Sequence, residues 1–167
     1  MQRCGSKLGY HQCSFRIAHE GWECKRMIVL TEDQLPWAVV PRITTRVHAQ
    51  AALGTRDTTL WEQRIEPGGF IPIHYHDTEE VITVLEGAIT LNDGKSHRTL
   101  HAPATLLIPA NELHGIEVYG KDMVHLVAAF PTATPRIFDV NGNPRPLPQN
   151  DFETMRNVLE KEEPHDE

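Results

Sequence analysis

The chain has 167 residues, enough for one domain with a hydrophobic core and short for two. Its 40% hydrophobic and 23% charged residues are typical of a globular protein and exclude wholesale disorder, collagen and a membrane protein. The net charge is -7, but residues 151–167 carry seven acidic residues against Arg156 and Lys161, so most of that charge lies in the tail. The rest has neither a basic excess nor an apolar run of about 20 residues, so we expect no nucleic-acid partner and no membrane association.

Residues 1–36 are predicted to form an N-terminal extension, because most of this region lacks helical or strand periodicity. Its three cysteines, Cys4, Cys13 and Cys24, are odd in number and irregularly spaced, which favours free thiols over disulfides or a metal finger. The region lacks the apolar run of a secretory signal, so we expect a cytoplasmic protein, with Met27 as an alternative start.

Residues 37–140 alternate short strand-like segments with Pro and Gly turns and contain almost no helical pattern, which predicts an all-β sandwich or barrel. The dipeptide Asp93-Gly94 is a strong hairpin signal between two of these segments. The predicted strands are Thr58–Ile65, Phe70–His76, Glu80–Glu86, Ile89–Leu91, Ser96–Leu100, Thr105–Ile108, His114–Val118 and Met123–Phe130.

Residues 141–167 are predicted to form a Pro-rich arm followed by a short acidic helix. Asp151 is a suitable N-cap for this helix, and Phe152, Met155 and Leu159 would lie on one of its faces. We interpret this apolar face as docking on the chain's own barrel rather than on a partner.

Four residues are predicted to bind one divalent metal ion. His74 and His76 lie two apart on a strand, so they share a face about 6.6 Å apart along it, the right scale for two imidazoles on one ion. Glu80 follows across a turn, where the next strand can bring a carboxylate alongside, and His114 at the start of a later strand is the candidate fourth ligand. These ligands suit zinc, iron, manganese, nickel or copper without choosing between them.

The spacing of this segment resembles the first motif of the cupin family. Its members here are Gly68, His74, His76, Glu80 and Gly87. In the second motif Pro109 and His114 are in place, while Pro103, Asn111 and Val118 depart from the family's usual residues. The resemblance covers roughly residues 37–140 and implies a double-stranded β-helix, the cupin jelly-roll barrel, with His74, His76, Glu80 and His114 as metal ligands.

Within the cupins, the chain most resembles the auxin-binding proteins of plants. The matching segments are Trp61-Glu62-Gln63, Pro67-Gly68, Pro72 to His76, Glu79-Glu80-Val81, Thr83-Val84-Leu85 and Ile108 to His114. The resemblance implies Trp61, Gln63, Ile71 and Pro72 as ligand-binding residues, with Ile82 at a position that is aromatic in the plant proteins. The signal peptide, ER-retention ending, glycosylation site and C-terminal cysteine of that branch are missing, so the scaffold and site carry over and auxin as the ligand does not.

Alternation along the strand Thr58–Ile65 supports the same pocket. Trp61 and Gln63 share one face, which we expect to point inward, where the Gln63 amide needs a partner such as a bound carboxylate or hydroxyl. Glu62, Arg64 and Glu66 share the other face, which we interpret as facing solvent.

Tyr75 lies between the two histidines and should point away from the metal, and Glu79 is interpreted as solvated. We treat the remaining histidines, including His48 and His125, as ordinary.

The outer side of the predicted strand Glu80–Glu86 is also apolar. Val81, Thr83 and Leu85 alternate there with the inward residues. This surface lies either under residues 37–50 of the same chain or against a second subunit, and the second alternative would make the protein a homodimer.

Two classes of function remain open. The first is a metal-dependent enzyme, an isomerase, lyase or dioxygenase, acting on an aromatic or short-chain organic acid bound at the metal; no catalytic residue is assigned. The second is a non-catalytic protein that binds or senses a carboxylate, as the resemblance to auxin-binding proteins implies. A storage-like structural role is disfavoured because such a role does not require all four metal ligands.

Overall fold

The computed structural model describes residues 27–147, which fold as two antiparallel β-sheets of six strands each. The strands are β1 (Trp37–Val40), β2 (Ile43–Ala49), β3 (Thr59–Ile65), β4 (Phe70–His76), β5 (Glu80–Glu86), β6 (Ala88–Asn92), β7 (His97–His101), β8 (Ala104–Ile108), β9 (His114–Val118), β10 (Val124–Phe130), β11 (Ile137–Phe138) and β12 (Pro144–Arg145). The first sheet has the order β1-β2-β3-β10-β5-β8, and the second has the order β12-β11-β4-β9-β6-β7. The predicted all-β jelly-roll barrel is confirmed, while the predicted C-terminal helix lies outside the described residues.

Helical structure in residues 27–147 consists of two short 3-10 turns, Glu32–Gln34 and Ala51–Leu53. Leu35, directly after the first turn, is 4% exposed and belongs to the hydrophobic core. No helix in this part of the chain is long and apolar enough to cross a membrane.

The strand β10 shows how the sequence builds the core. Val124, Leu126, Ala128 and Phe130 occupy alternate positions and point between the sheets, each with 2% of its surface or less exposed. β10 lies between β3 and β5 in the first sheet, so both of its edges are paired with neighbouring strands. Burial of each of the larger side chains contributes about 1.5–3 kcal/mol to stability.

The eight predicted strands are all present, with ends that differ by no more than one residue. The sequence analysis did not delimit β1, β2, β11 and β12. β11 and β12 contain two residues each, too few to show a period. β2 contains three consecutive buried residues, Thr45, Arg46 and Val47, so its burial does not follow a polar–apolar alternation.

The apolar outer side of β5 is not covered by residues 37–50. These residues lie in the same sheet, beyond β3, whereas β5 lies between β10 and β8. On this outer face Leu85 is 43% exposed and Leu107 of β8 is 74% exposed. The intramolecular alternative is therefore wrong for the described residues, and the homodimer stays a prediction.

The outward face of β3 is more buried than its sequence pattern indicates. Arg64 and Glu66 are exposed as predicted, but the prediction is wrong for Glu62, which is only 9% exposed. His48 from β2 and His125 from β10 lie on either side of its carboxylate, at 2.8 Å and 2.9 Å. Neighbouring strands thus cover a charged residue that a single-strand pattern places in solvent.

Candidate metal centre

The four predicted ligands come from three strands and meet at one end of the barrel. His74 and His76 lie on the same face of β4, His114 is the first residue of β9 and pairs with His74, and Glu80 is the first residue of β5 in the other sheet. All four are buried, with 2–7% of their surfaces exposed. The site therefore joins the two sheets, and each ligand is fixed by a strand rather than by a loop.

The ligand atoms converge on a common point, all within 4.8 Å of one another. The Nε2 atoms of His74 and His76 are 3.2 Å apart. The Nε2 atom of His114 is 2.9 Å from Oε2 of Glu80, and that of His76 is 3.6 Å from the same oxygen. Ligands bound at about 2.1 Å on adjacent positions of a metal ion would be about 3.0–3.4 Å apart, so the observed spacing has the right scale.

Backbone carbonyls hold all three rings in one orientation. The Nδ1–H of His74 donates to the carbonyl of Pro72 at 2.8 Å, that of His76 to Arg136 at 2.8 Å, and that of His114 to Glu112 at 3.0 Å. In the neutral form of each ring the proton is on Nδ1, so Nε2 carries a lone pair, as a metal ligand requires. The short contact between His74 and His76 is thus between two lone pairs.

Two buried polar atoms at the same point lack a hydrogen-bond partner. They are Oε2 of Glu80 and Nε2 of His114, which lie close together but are not aligned as a hydrogen bond. An unsatisfied buried polar atom costs about 1–3 kcal/mol, and facing lone pairs repel. A divalent cation would satisfy all four ligand atoms, so this donor set fits a metal ion.

Burial and neighbouring charges separate the pKa values of the three histidines. Burial, with the nearby His114, lowers the pKa of His74 to about 4, and burial also lowers the pKa of His76. Burial opposes the charged form of His114 too, but the adjacent Glu80 carboxylate outweighs it and raises the pKa of His114. His74 and His76 are therefore neutral at pH 7 and ready to bind a metal, which would displace the proton that Glu80 favours on His114.

The turn before His114 keeps its shape despite its departure from the cupin motif. Asn111 stands where the motif usually has glycine and adopts a φ of 66°, in the left-handed region that Asn tolerates better than most residues. Its backbone N–H donates to the carbonyl of His76 at 2.7 Å. Asn111 therefore fills the role of a glycine and ties the turn to the strand that carries two ligands.

The structure brings one predicted ligand-binding residue beside the ligands. Trp61 is 4% exposed, its ring lies edge-on to His76 with 6.4 Å between ring centroids, and its Nε1–H has no hydrogen-bond partner. Phe130, which the sequence analysis did not assign, packs against both rings with centroids 4.7 Å away.

The other predicted pocket residues have structural neighbours. The Gln63 amide donates to Oγ1 of Thr45 at 3.0 Å, so this donor has a protein partner. Ile82 is buried in the core and Ile71 packs against it, while Pro72 is exposed and contributes its carbonyl to His74. A ligand contact for these residues stays a prediction.

Arg136 is a second residue that sequence analysis missed. Its carbonyl orients His76, and its guanidinium pairs with the carboxylate of Asp77, the residue directly after His76. This pairing holds the pKa of Asp77 below its usual value. The ion pair between Arg136 and Asp77 therefore holds the loop after β10 in place, and with it the carbonyl that orients His76. Nearby, Tyr75 stacks on Phe138 with centroids 5.2 Å apart, and Glu79 is exposed, as expected for residues outside the site.

A cavity of about 360 Å³ lies between β7 of the second sheet and β8 of the first, and it meets the candidate metal centre at His114. One of its lining residues is His114. Its other walls come from β6, β7, β8 and residues 109–113, not from the five predicted pocket residues. The metal centre is thus adjacent to a space of the size used for small molecules.

Comparisons with known proteins agree with this fold. The sequence profile of the family described as "Cupin domain" matches residues 61–130. "Auxin-binding protein 1" of Arabidopsis thaliana is 29% identical over 94 residues, which cover 51% of this chain and 48% of that protein. "Auxin-binding protein 5" of Zea mays is 37% identical over 76 residues, covering 39% of this chain and 49% of that protein. The chain spans about half the length of the curated relatives that it matches.

A solved structure has a similar fold. It is that of the polyketide cyclase RemF from Streptomyces resistomycificus, with a TM-score of 0.60 and 22% identity, covering 78% of this chain and 94% of that chain. At this identity the likeness shows the fold alone.

Proposed function

This chain contains a cupin domain and resembles the auxin-binding proteins, and we propose that it is a metal-dependent enzyme acting on a small organic acid. The observation that supports this proposal most is the arrangement of the ligands. Three imidazole nitrogens and one carboxylate oxygen converge, and one of the four ligands, His114, lines a cavity of about 360 Å³. The reaction classes that suit such a centre are isomerisation, lyase chemistry and oxygenation.

A divalent ion bound by the four ligands would supply Lewis-acid chemistry toward a substrate oxygen. The chain's own residues have three tasks in this proposal. The carbonyls of Pro72, Arg136 and Glu112 hold the imidazoles in place. The two sheets bury the ligands, which strengthens electrostatic interactions by excluding water. The apolar cavity walls take up the carbon skeleton of the acid.

A second candidate function is non-catalytic binding of a carboxylate. It is favoured by the unpartnered indole N–H of Trp61 beside His76, a donor suited to an acid oxygen, and by the names of the two curated relatives. In this alternative a metal ion would anchor the ligand without turnover.

The deciding experiment combines metal content, binding and turnover. Purified protein is reconstituted with each candidate metal, titrated with a panel of aromatic and short-chain acids, and incubated with the same panel for product analysis by mass spectrometry. The proposal expects one metal per chain, binding of at least one acid, and conversion of it. His76→Ala should lose metal binding, acid binding and conversion, whereas the control His101→Ala, which alters an exposed residue, should retain them. This result would assign the three activities to this site.

The outcomes separate the candidates. Metal-dependent binding without any conversion across the panel would overturn the enzyme and leave the binding protein. Absence of stoichiometric metal after reconstitution would overturn both.

We also propose that the outer face of β5 and β8 pairs with a second copy of the chain. The apolar side chains left uncovered there, Leu85 and Leu107, support this assignment. Light scattering after gel filtration should give twice the chain mass, and a Leu107→Glu variant should give the chain mass. A monomeric native protein would contradict the proposal.

A further inference from the structure

The cavity beside the metal centre is bounded mainly by aliphatic side chains. Leu106 and Ile108 of β8 form one wall, and Leu91 of β6 and Leu100 of β7 face them from the other sheet. Ile108 pairs with Glu80 across β5 and β8, so this wall begins at a metal ligand. The cavity is therefore a mainly apolar space that reaches the candidate metal centre at His114 and lies beside β7 and β8, the last strands of their sheets.

One cation interrupts this apolar lining. Arg98 pairs with Leu91 across β6 and β7, and it lies two residues from Leu100 on the same strand face. Leu91 and Leu100 both pack against the core, so the sheet face that they share with Arg98 points toward the space between the sheets. Its side chain is exposed at the edge and also lines the cavity. Arg98 therefore places a positive charge at the mouth of the cavity.

No other group of the described residues neutralises Arg98. It forms no hydrogen bond or ion pair within residues 27–147, although two acidic residues line the same cavity. The Asp93 carboxylate accepts hydrogen bonds from the backbone N–H groups of Lys95 and Ser96 and from the Ser96 hydroxyl, so it serves its own hairpin. Glu112 forms no ion pair with Arg98. Among residues 27–147, the guanidinium is thus left without an anionic partner, so that an anionic ligand could pair with it.

We infer that Arg98 binds one carboxylate of an organic acid whose second oxygen group faces the metal centre. The substrate class is then a two-headed acid, such as a dicarboxylate, with an apolar body between its two polar ends. Arginine suits this task because its planar fork binds a carboxylate through two parallel hydrogen bonds. The inference rests on the proposed function, since it assumes that small acids occupy this cavity.

The test compares matched acids rather than one ligand. Metal-loaded protein is titrated by calorimetry with succinate, glutarate and adipate, and with butanoate, pentanoate and hexanoate, which each lack one carboxylate. At least one diacid should bind more tightly than its monoacid. Arg98→Gln should weaken that diacid about tenfold and leave the monoacid within about twofold, because only the diacid loses a charge-assisted contact. Metal content, measured separately, should not change.

Lys95→Gln is the matched control, since it removes a positive charge from the same hairpin outside the cavity lining. It should leave both affinities unchanged, and Arg98→Lys should restore part of the diacid preference. Equal diacid affinity in Arg98→Gln and native protein would overturn the inference, and so would equal losses in Arg98→Gln and Lys95→Gln. If neither series binds to the native metal-loaded protein, the inference about Arg98 is overturned, whereas the proposed function is overturned only if the aromatic acids of the wider panel also fail to bind.

Discussion

Histidines and glutamates meet at two places in this fold. One is the candidate metal centre, formed by His74, His76, Glu80 and His114 between the sheets. The other, here called the outer cluster, consists of His48, Glu62 and His125 on the outward face of the first sheet. The two groups use the same residue types and are both largely buried, so composition alone does not distinguish them.

The two groups differ in the partner of each imidazole Nε2 atom. In the outer cluster the Nε2 atoms of His48 and His125 lie 2.8 Å and 2.9 Å from different oxygens of Glu62, so both carboxylate oxygens have partners. Arg46 and Arg64 add weaker ion pairs at 3.9 Å and 3.7 Å. This cluster is already satisfied by its own members.

In the metal centre the protons are drawn to the opposite side of the rings. Backbone carbonyls accept from every Nδ1, and the Nε2 lone pairs are left facing one another and the Glu80 carboxylate. Backbone carbonyls that accept from Nδ1, rather than the number of histidines, therefore make a group of imidazoles suitable for metal binding.

The largest expected effect distinguishes the two groups directly. His76→Ala removes a metal ligand and should weaken metal affinity more than a hundredfold, measured by competition with a chelator of known affinity. His125→Ala removes an imidazole from the outer cluster and should leave the affinity within about twofold. Similar losses in the two variants would refute the distinction between the clusters.

The outer cluster should instead contribute to stability. Glu62→Gln replaces a buried carboxylate that two imidazoles contact and should lower the free energy of unfolding by about 1–2 kcal/mol at pH 7, measured by urea denaturation. Metal stoichiometry should stay at one per chain. The matched variant Glu66→Gln alters the exposed residue directly after β3 and should change stability by less than about 0.5 kcal/mol. A stability loss as large in Glu66→Gln would contradict the structural assignment.

The same contribution should depend on pH. Burial opposes the charged form of Glu62, but hydrogen bonds from His48 and His125 outweigh it, so its pKa in the folded protein is lower than its ordinary value of 4.5. The folded state therefore binds the Glu62 proton less readily than the unfolded state, so the stabilisation is complete above pH 4.5 and is lost as pH falls through the folded pKa. The stability gap between native protein and Glu62→Gln should shrink below pH 4.5. A gap that grows on acidification would have the wrong sign.

The smallest expected effect concerns the carbonyl that orients His76. Asp77→Ala removes the ion pair to Arg136 and loosens the loop that carries this carbonyl, so metal affinity should fall about threefold to fivefold. Glu79→Ala alters a neighbouring exposed carboxylate and should have no measurable effect on affinity. Unchanged affinity in Asp77→Ala would show that the carbonyl is held without the ion pair.

Much of the fold and the ligand set could be predicted from the sequence because both depend on periodicity. The alternation of β3 to β10 gives strand positions to within one residue, and the spacing of His74, His76 and Glu80 follows from the geometry of a strand, a turn and a second strand. Even the departure at Asn111 has a local physical reason, since its φ of 66° is one that asparagine tolerates.

The rest depended on contacts between distant segments. The carbonyls of Pro72, Arg136 and Glu112 belong to the backbone, which carries no residue signal for their role. The burial of Glu62 depends on β2 and β10, and single-strand alternation placed it in solvent. The position of Arg98 beside the cavity depends on the register of β6 against β7.

X-ray absorption spectroscopy of the metal-loaded protein tests the central claim most directly, because it reads the ligand atoms around the ion. The account predicts one ion per chain with three imidazole nitrogens and a carboxylate oxygen at about 2.0–2.2 Å, and loss of one imidazole in His76→Ala. A bound ion with fewer than three imidazoles, or with a ligand shell unchanged in His76→Ala, would contradict it.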